Sequence, residues 1–376
     1  MVLTTYLSSL IPAGMKHSQQ EILDALYFTG GLRQASFKAN LLSRDLSPLG
    51  TLELEGGGID FGAFSQIKRS GKFKTRYVKD IDYLTERLQP LFVLHLPGED
   101  IEFPLGIFLL ATSPPADSGY GIDLELQGYD STIILLRDTL DAVLTIPVGT
   151  NIINEAVKIL ADTGFSRVRF TNSEAVTGRD MMWELGTSKL QVINDLLAAV
   201  NYTEIWFDRN GFAVIQPYLL PTDREIDITY QADELTSVIM PGLTNELDLF
   251  NIPNKIVVTV TNSQKAAPLV SVYENHNVRS PLSIDRVGWV NARTVQVSDI
   301  TDQATLDGYT RRLAYNNADQ YNTASWSTPN MPLHDYYNCL FLGYPRIDIN
   351  ARFLEASWSM DFTGTMRHTA RRQVEV

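Results

Sequence analysis

Phe103-Pro-Leu-Gly-Ile-Phe-Leu-Leu-Ala-Thr-Ser-Pro-Pro115, continuing to Leu124-Glu-Leu-Gln-Gly-Tyr-Asp130, is the stretch that decides how this chain folds. It reads as two strands joined by a turn, Ser113 to Gly121, that carries both proline and glycine. In the second strand Ile122, Leu124 and Leu126 face one way and Asp123, Glu125 and Gln127 the other. Alternation of period two marks a sheet with one buried and one wet face. The stretch holds no nucleophile, metal cluster or phosphate loop, so it reads as a wall.

Working outward, residues 1 to about 20 form a weak opening segment. Short runs of strand character extend from Ala25 to Leu54, and Thr51-Leu-Glu-Leu-Glu55 precedes Gly56-Gly57-Gly58, which reads as a turn. After the polar stretch Lys68 to Lys74 come the runs Lys79 to Tyr83 and Leu91 to Leu96, completing a mostly antiparallel β region that ends near Leu144. The period then changes. Ile152, Ile153, Ala156, Val157 and Leu160 recur at helical spacing, and Gly164 supplies a stop. Ser188 with Gln191 reads as a capping box for a second helix whose apolar face is Leu190, Ile193, Leu196, Leu197 and Val200. Strand Glu204 to Phe207, turn Asp208 to Gly211 and strand Phe212 to Gln216 give a hairpin, after which Pro217, Pro221 and Asp223 mark an exit.

The remainder returns to β. Ile256, Val258 and Val260 share a face in a strand from Lys255 to Thr261, Val270 and Val272 suggest another, and a loop runs from Glu274 to Ser283. Asp302 to Asn317 reads as a helix with Leu306, Tyr309 and Leu313 on one face, although Gly308 costs it about 1 kcal/mol relative to alanine. Strands follow at Leu340 to Leu342, Arg352 to Asp361 and Met366 to Arg371, with a turn at Thr363-Gly364. Phe353-Leu354-x-Ala356-Ser357 echoes Phe108-Leu109-x-Ala111-Thr112, each followed by a turn and a returning strand. The echo suggests two β units of one kind in a single chain.

At 376 residues, about two to four domains are expected. Apolar residues make up 44% and charged residues 20%, which is globular rather than disordered composition. The formal net charge of −13 argues against a protein that grips nucleic-acid phosphates, since that takes clustered Lys and Arg. Cys339 is the only cysteine, so an internal disulfide and a cysteine-based zinc site are excluded by count; its apolar setting predicts a buried thiol. Leu10 and Ile11 lie near the N-terminus without a basic n-region or a long apolar run, so neither a signal peptide nor a membrane span is expected.

Catalytic constellations are weak. Asp123 and Glu125 lie two apart on one strand face, as a glycosidase pair could, but solvated strand carboxylates look the same. His17, His95, His276, His334 and His368 lack metal-ligand spacing; His334-Asp335 could orient a base toward Ser325 or Ser327, with no nucleophile elbow to support it. Gly56-Gly57-Gly58 lacks the lysine of a phosphate loop, and Gly30-Gly31 lacks the third glycine of a dinucleotide fingerprint. Arg367, His368, Arg371 and Arg372 form the strongest basic group, by default a charged strand end, otherwise a contact for an acidic partner. Trp206, Trp326 and Trp358 fall in or beside predicted strands, where core packing is commoner than a sugar platform. No catalytic, cofactor-binding or metal residue is assigned.

Several runs together resemble the baseplate hub, or minor tail, proteins of long-tailed bacteriophages. They are Arg87-Leu-Gln-Pro-Leu-Phe92 with Phe103 to Leu110, Gln127-Gly-Tyr-Asp130, Val148-Gly-Thr-Asn151, Gly186-Thr-Ser-Lys-Leu190 with Ile193 to Leu197, Gly211 to Pro217, Asp248-Leu-Phe-Asn251, Pro253-Asn-Lys255 and Ser357 to Arg371. They spread from about residue 80 to the C-terminus, and their order and spacing carry the likeness. The first 40 residues match poorly, and His334-Asp-Tyr-Tyr-Asn-Cys339 departs from the family pattern.

The resemblance implies a mainly β protein with α+β modules: two tube-like β-barrel domains plus two smaller inserted domains. On that basis residues 1–146 are the first tube-like β-barrel domain and 147–222 a small α+β domain of two helices and a hairpin. Residues 223–262 with 320–376 are the second tube-like β-barrel domain, and 263–319 a small inserted domain with one helix. It further implies a structural, non-enzymatic homotrimer, a pseudo-hexameric ring at the virion tail tip, made in the host cytoplasm. The ring would join the six-fold tail tube or distal tail protein to three-fold tip and receptor-binding proteins. It would surround the C-terminus of the tape measure protein and line a lumen through which genomic DNA passes without specific binding. No cofactor is expected. The alternative is a carbohydrate-binding or cell-wall-degrading tail-tip protein; because the sequence stops at Val376, just after the last hub hairpin, the adaptor is the favoured expectation.

Overall fold

The computed structural model describes residues 9–11, 14–29, 33–78, 81–112, 116–117, 119, 121–219, 223–232, 238–248, 250–260, 269–297, 300, 302–318 and 322–372. The Gly30-Gly31 pair, Lys79 and Asp80, Pro221, Thr261 and much of the Ser113–Gly121 turn lie outside them.

The first region opens on helix α1 (Gln19–Leu26), which the sequence reading did not assign and whose last two residues fall where strand character was expected. Ser18 accepts from the Glu21 backbone N–H while the Glu21 carboxylate returns to the Ser18 N–H, and Ile22, Leu23 and Leu26 are buried. This capping box precedes an apolar run at helical spacing, a signal the sequence does carry. Strands β1 (Gln34–Leu42), β2 (Pro48–Glu53), β3 (Gly56–Gly62), β4 (Arg69–Arg76), β5 (Arg87–Leu96), β6 (Glu99–Pro104), β7 (Phe108–Thr112), β8 (Ala116–Asp117) and β9 (Ile122–Tyr129) follow. In β9 Leu124 and Leu126 are buried and Glu125 and Gln127 exposed, as the alternation requires; Ile122, at the strand's end, stays exposed.

Three readings in this region are corrected. Ile81 to Tyr83 form no strand. The polar stretch is β4, whose inward side is Arg69, Gly71, Phe73 and Thr75, so an inward arginine and glycine hide the period. Gly56-Gly57-Gly58 is not a turn but the start of β3, which lies between β4 and a strand from the far end of the chain. A Cβ on Gly57, at φ +129°, would stand 2.0 Å from the Lys72 carbonyl oxygen, and one on Gly58 2.7 Å from that of Met360. Glycine is needed there for close strand approach.

The middle region comprises α2 (Thr132–Arg137), β10 (Leu144–Ile146), α3 (Ile152–Asp162), β11 (Val168–Phe170), β12 (Met181–Trp183), α4 (Lys189–Ala199), β13 (Trp206–Phe207) and β14 (Ala213–Ile215). Asn151 caps α3 and Ser188 caps α4. The Gln191 side chain donates to Asp195 at 2.5 Å rather than returning to the cap, so only half of the expected box forms. The two helices bury Ile153, Leu160, Ile193 and Leu197 against Phe207 and Ile215 in a core of their own.

The last region contains β15 (Ile228–Gln231), β16 (Thr244–Leu247), β17 (Lys255–Val260), β18 (Leu269–Glu274), α5 (Ile284–Val287), β19 (Ala292–Val297), α6 (Gln303–Ala318), β20 (Asn322–Pro329), β21 (Cys339–Tyr344), β22 (Ile349–Asp361) and β23 (Thr365–Arg372). Strands β17 to β19 form a separate sheet, and Ile256, Val258 and Val260 pack with Leu306 and Ala314 of α6.

The two ends of the chain share one topology. Strands β4, β5, β7 and β9 lie in spatial order first, fourth, third, second, all antiparallel; β20, β21, β22 and β23 repeat that order and sense. Each set is preceded by a strand antiparallel to its first member, β3 beside β4 and β16 beside β20. The sequence echo falls on the third strand of both, with Phe108 opposite Leu88 and Phe353 opposite Leu340. Strand β22 then pairs with β3, Ser357 with Gly62 through Asp361 with Gly58, so both β halves merge into one 15-stranded sheet. Phe61 stacks on Trp358 across this joint at 5.4 Å, and one apolar core runs through both halves.

The mainly β expectation holds; its barrels take another form. None of the sheets closes into a barrel through its ladders. In the first half the circuit β1, β2, β3, β4, β9, β7, β5 comes round because β2 runs on into β3 through Leu54-Glu55, with the Glu55 N–H donating to the Lys74 carbonyl at 2.8 Å.

Candidate functional site

The most unusual segment is Met331 to Asn338, between β20 and β21, a loop in which every residue but Tyr336 is buried. A buried loop must find donors for its carbonyls inside the protein. Arg209, on the β13–β14 turn, supplies them: Nη1 donates to Pro332 O at 2.8 Å, and Nη2 to His334 O at 2.9 Å and Leu333 O at 3.3 Å. Its Nε also donates to Asp335 Oδ2 at 3.3 Å. The other oxygen of Asp335 accepts from Arg69 Nη2 at 2.6 Å, and Arg69 Nη1 reaches Phe207 O at 3.3 Å. Arg69 is 1% exposed, and a Cβ on Gly106 would stand 2.6 Å from its side chain, so glycine there makes room for the guanidinium. The buried Asp130 carboxylate accepts from the Arg69 backbone N–H at 2.9 Å; burial raises its pKa. Lys68, also buried, adds an ion pair to Glu204 at 2.6 Å. Residues of both β halves and the middle region thus close on a single loop. A cleft of about 930 Å³ beside it is lined in part by Trp206, Arg209, Arg224, Asp227 and Tyr336.

Deeper in the second β half, polar side chains form a continuous run. Tyr230 OH lies 2.6 Å from His334 Nε2, and His334 Nδ1 lies 2.6 Å from Glu355 Oε2. Glu355 Oε1 lies 2.8 Å from His368 Nδ1, whose Nε2 is 2.9 Å from Thr328 Oγ1. Burial pushes the Glu355 carboxyl up to about 7, and pushes His334 down to about 3 and His368 down to about 4. Both histidine side chains are 0% exposed, so neither can reach a substrate as acid or base.

The residues singled out in the sequence are dispersed by the fold. Asp123 pairs with Arg76 at 2.8 Å and Glu125 faces Lys74 across the ladder, which makes both ordinary strand carboxylates. His334 and His368 are brought together by Glu355, which the sequence gave no reason to choose. Ser325 and Ser327 lie on the β20 face opposite buried Trp326 and Thr328, away from both histidines. His17 bonds Pro97 O, His95 pairs with Asp100 and His276 with Asp285, all on the surface. Trp326 and Trp358 are buried and Trp206 stacks on Tyr336 at 4.9 Å, so the core-packing reading holds for the first two. The basic group at the end of β23 is split, because His368 points inward while Arg371 lies over Phe64 at 4.3 Å. Cys339 is buried, as its setting predicted. Among the described residues no helix is long and apolar enough to cross a membrane. Arg69 and Arg209 had no sequence signal, and Asp335, singled out beside His334 as a partner for a base, instead accepts from these two arginines.

No family model matches the sequence, and no curated protein matches it. Solved structures do. The chain is similar to a tail protein of Neisseria meningitidis, with a TM-score of 0.65 at 14% identity over 90% of this chain and 96% of that one. It is similar to the 43 kDa tail protein of a Shewanella oneidensis prophage, with a TM-score of 0.61 at 11% identity over 89% of this chain and 98% of that one. A prophage tail protein from Listeria monocytogenes gives a TM-score of 0.54 at 13% identity over 91% and 95% of the two chains. The chain has the fold of these phage-type tail proteins.

Proposed function

We propose that this chain is a structural, non-catalytic tail-hub protein that forms a homotrimeric, pseudo-hexameric ring at the tip of a phage-type tail. The observation that carries this reading is the repeated topology joined by the β22–β3 ladder. A chain with two like β units presents six in a trimer, and so meets a six-fold tube on one side and three-fold components on the other. Strand β3 is covered by β22, whereas its counterpart β16 ends the sheet and pairs only with β20 among the described residues. In the ring a neighbouring copy covers that open side. Division into units 1–146, 147–222, 223–262 with 320–376, and 263–319 belongs to the same proposal, except that β17 (Lys255–Val260) ladders with β18 and β19 of the last unit.

The partners are the distal tail or tube protein, the tape measure C-terminus and tip or receptor-binding proteins, in the virion. DNA passes through the lumen unbound, a role the net charge of −13 suits because acidic walls repel phosphates. The sealed histidines and paired carboxylates favour this scaffold over the carbohydrate-active alternative. The test is the copy number of the chain in assembled tails, by native mass spectrometry and ring averaging in electron micrographs. Three copies support the reading; two or six overturn it, as would fragments released from host peptidoglycan by the purified protein.

A further inference from the structure

We propose that His334, Glu355 and His368 form a structural site for one divalent transition-metal ion, Zn²⁺ or a close analogue, sealed inside the second β half. Their ligand atoms lie within 4.8 Å of one another. They come from three segments, the buried loop, β22 and β23, so an ion among them would cross-link all three. Two imidazoles and a carboxylate suit zinc and its neighbours, whereas calcium and magnesium prefer all-oxygen shells.

Hydrogen accounting points to a cation. The Thr328 hydroxyl has one hydrogen, and in one arrangement it goes to Pro329 O at 2.9 Å. The hydroxyl then accepts from His368 Nε2. A neutral His368 that donates from Nε2 has a bare lone pair at Nδ1, and that atom faces a carboxylate oxygen of Glu355 at 2.8 Å. Two lone pairs at that distance repel unless a proton or a metal ion lies between them. Glu355 is 1% exposed, and its ion-pair partners among the described residues are these two histidines, with no Lys or Arg.

The surroundings fit a ligated pair. Hydroxyls of Tyr230 and Thr328 hold the outward ring nitrogens, the outer hydrogen bonds that fix the orientation of metal-binding histidines. Trp326 stacks on the His368 ring at 5.0 Å, which leaves a compact, closed site rather than one that keeps several waters. Ligand distances of about 2.1 Å around a tetrahedral ion place the ligand atoms about 3.4 Å apart, so the 2.6 and 2.8 Å nitrogen–oxygen contacts must open and the wider separations within the 4.8 Å cluster must close. Because the site is sealed, the ion enters as the chain folds.

The experiment unfolds the full chain and refolds it with Zn²⁺, with Co²⁺ or with EDTA, followed by exhaustive dialysis. Expected are about one ion per chain by elemental analysis, a tetrahedral Co²⁺ band in the visible spectrum, and a higher melting midpoint for the metal-refolded protein. His368→Gln and Glu355→Gln should each lower retained metal at least about tenfold. If refolded wild type keeps less than about a tenth of an ion per chain and melts identically in EDTA, the bridging charge is a proton and the proposal falls. The wild-type comparison decides even where a variant fails to fold, and metal kept equally by a folded variant lacking all three side chains overturns it too.

Discussion

Replacing Arg209 with methionine keeps most of the side-chain stem and removes the donors this residue gives to the buried loop. Three carbonyls, of Pro332, Leu333 and His334, lose their side-chain donor, while Asp335 keeps Arg69 at 2.6 Å. A buried acceptor left unpaired costs about 1–3 kcal/mol, so the lower end for the Pro332 and His334 carbonyls, which take the shorter bonds, gives about 2 kcal/mol. The expected loss is therefore about 2 kcal/mol, a substantial part of the roughly 5–15 kcal/mol that holds a domain. Trp358 reports on this region, since its Nε1 donates to Asp335 O at 3.4 Å. Urea unfolding followed by tryptophan fluorescence measures the effect, with exposed Arg367→Met as a control expected within about 0.5 kcal/mol of wild type. A loss below about 1 kcal/mol for Arg209→Met, with the control unchanged, would refute the claim that this guanidinium holds the loop.

Two further outcomes are expected. Gly57→Ala places a Cβ 2.0 Å from the Lys72 carbonyl oxygen at φ +129°, so the β3–β4 ladder must shift; faster amide exchange in β3 and β22 checks it, and unchanged protection would count against the β22–β3 joint. His276, bonded first to Asp285 and then to Glu274, titrates above 6.5, and Asp285→Asn should bring it back toward that value in an NMR titration. Its folded pKa is raised, so its stabilising contribution is complete below pH 6.5 and is lost as pH rises through the folded value.

Much of the secondary structure is legible in the chain because periodicity is local. Leu124 and Leu126 against Glu125 and Gln127, or Ile153, Ala156 and Leu160 at helical spacing, declare their faces without reference to anything distant. The misreadings share a cause. Gly56-Gly57-Gly58 has the composition of a turn, and only its flanking strands show why glycine is required. Strand β4 hides its period because Arg69 faces inward, toward a carboxylate 266 residues away. The helix at Gln19 to Leu26 was legible from its capping box but went unassigned, because the strand character of the runs from Ala25 onward drew the reading past it.

The amino-acid order by itself determined the apolar face of elements such as β9, α3 and α4 and where the α+β region begins, and it suggested that Phe108-Leu109 and Phe353-Leu354 belong to kindred strands. Each of these follows from the stereochemistry of neighbouring residues. Only the tertiary structure decided that β22 lies against β3, that Arg209 holds a loop more than a hundred residues away, and that His334 and His368 meet at Glu355. Such pairings depend on which surfaces meet once loops are closed, and burial then makes polar partners obligatory where a local pattern shows only charged residues.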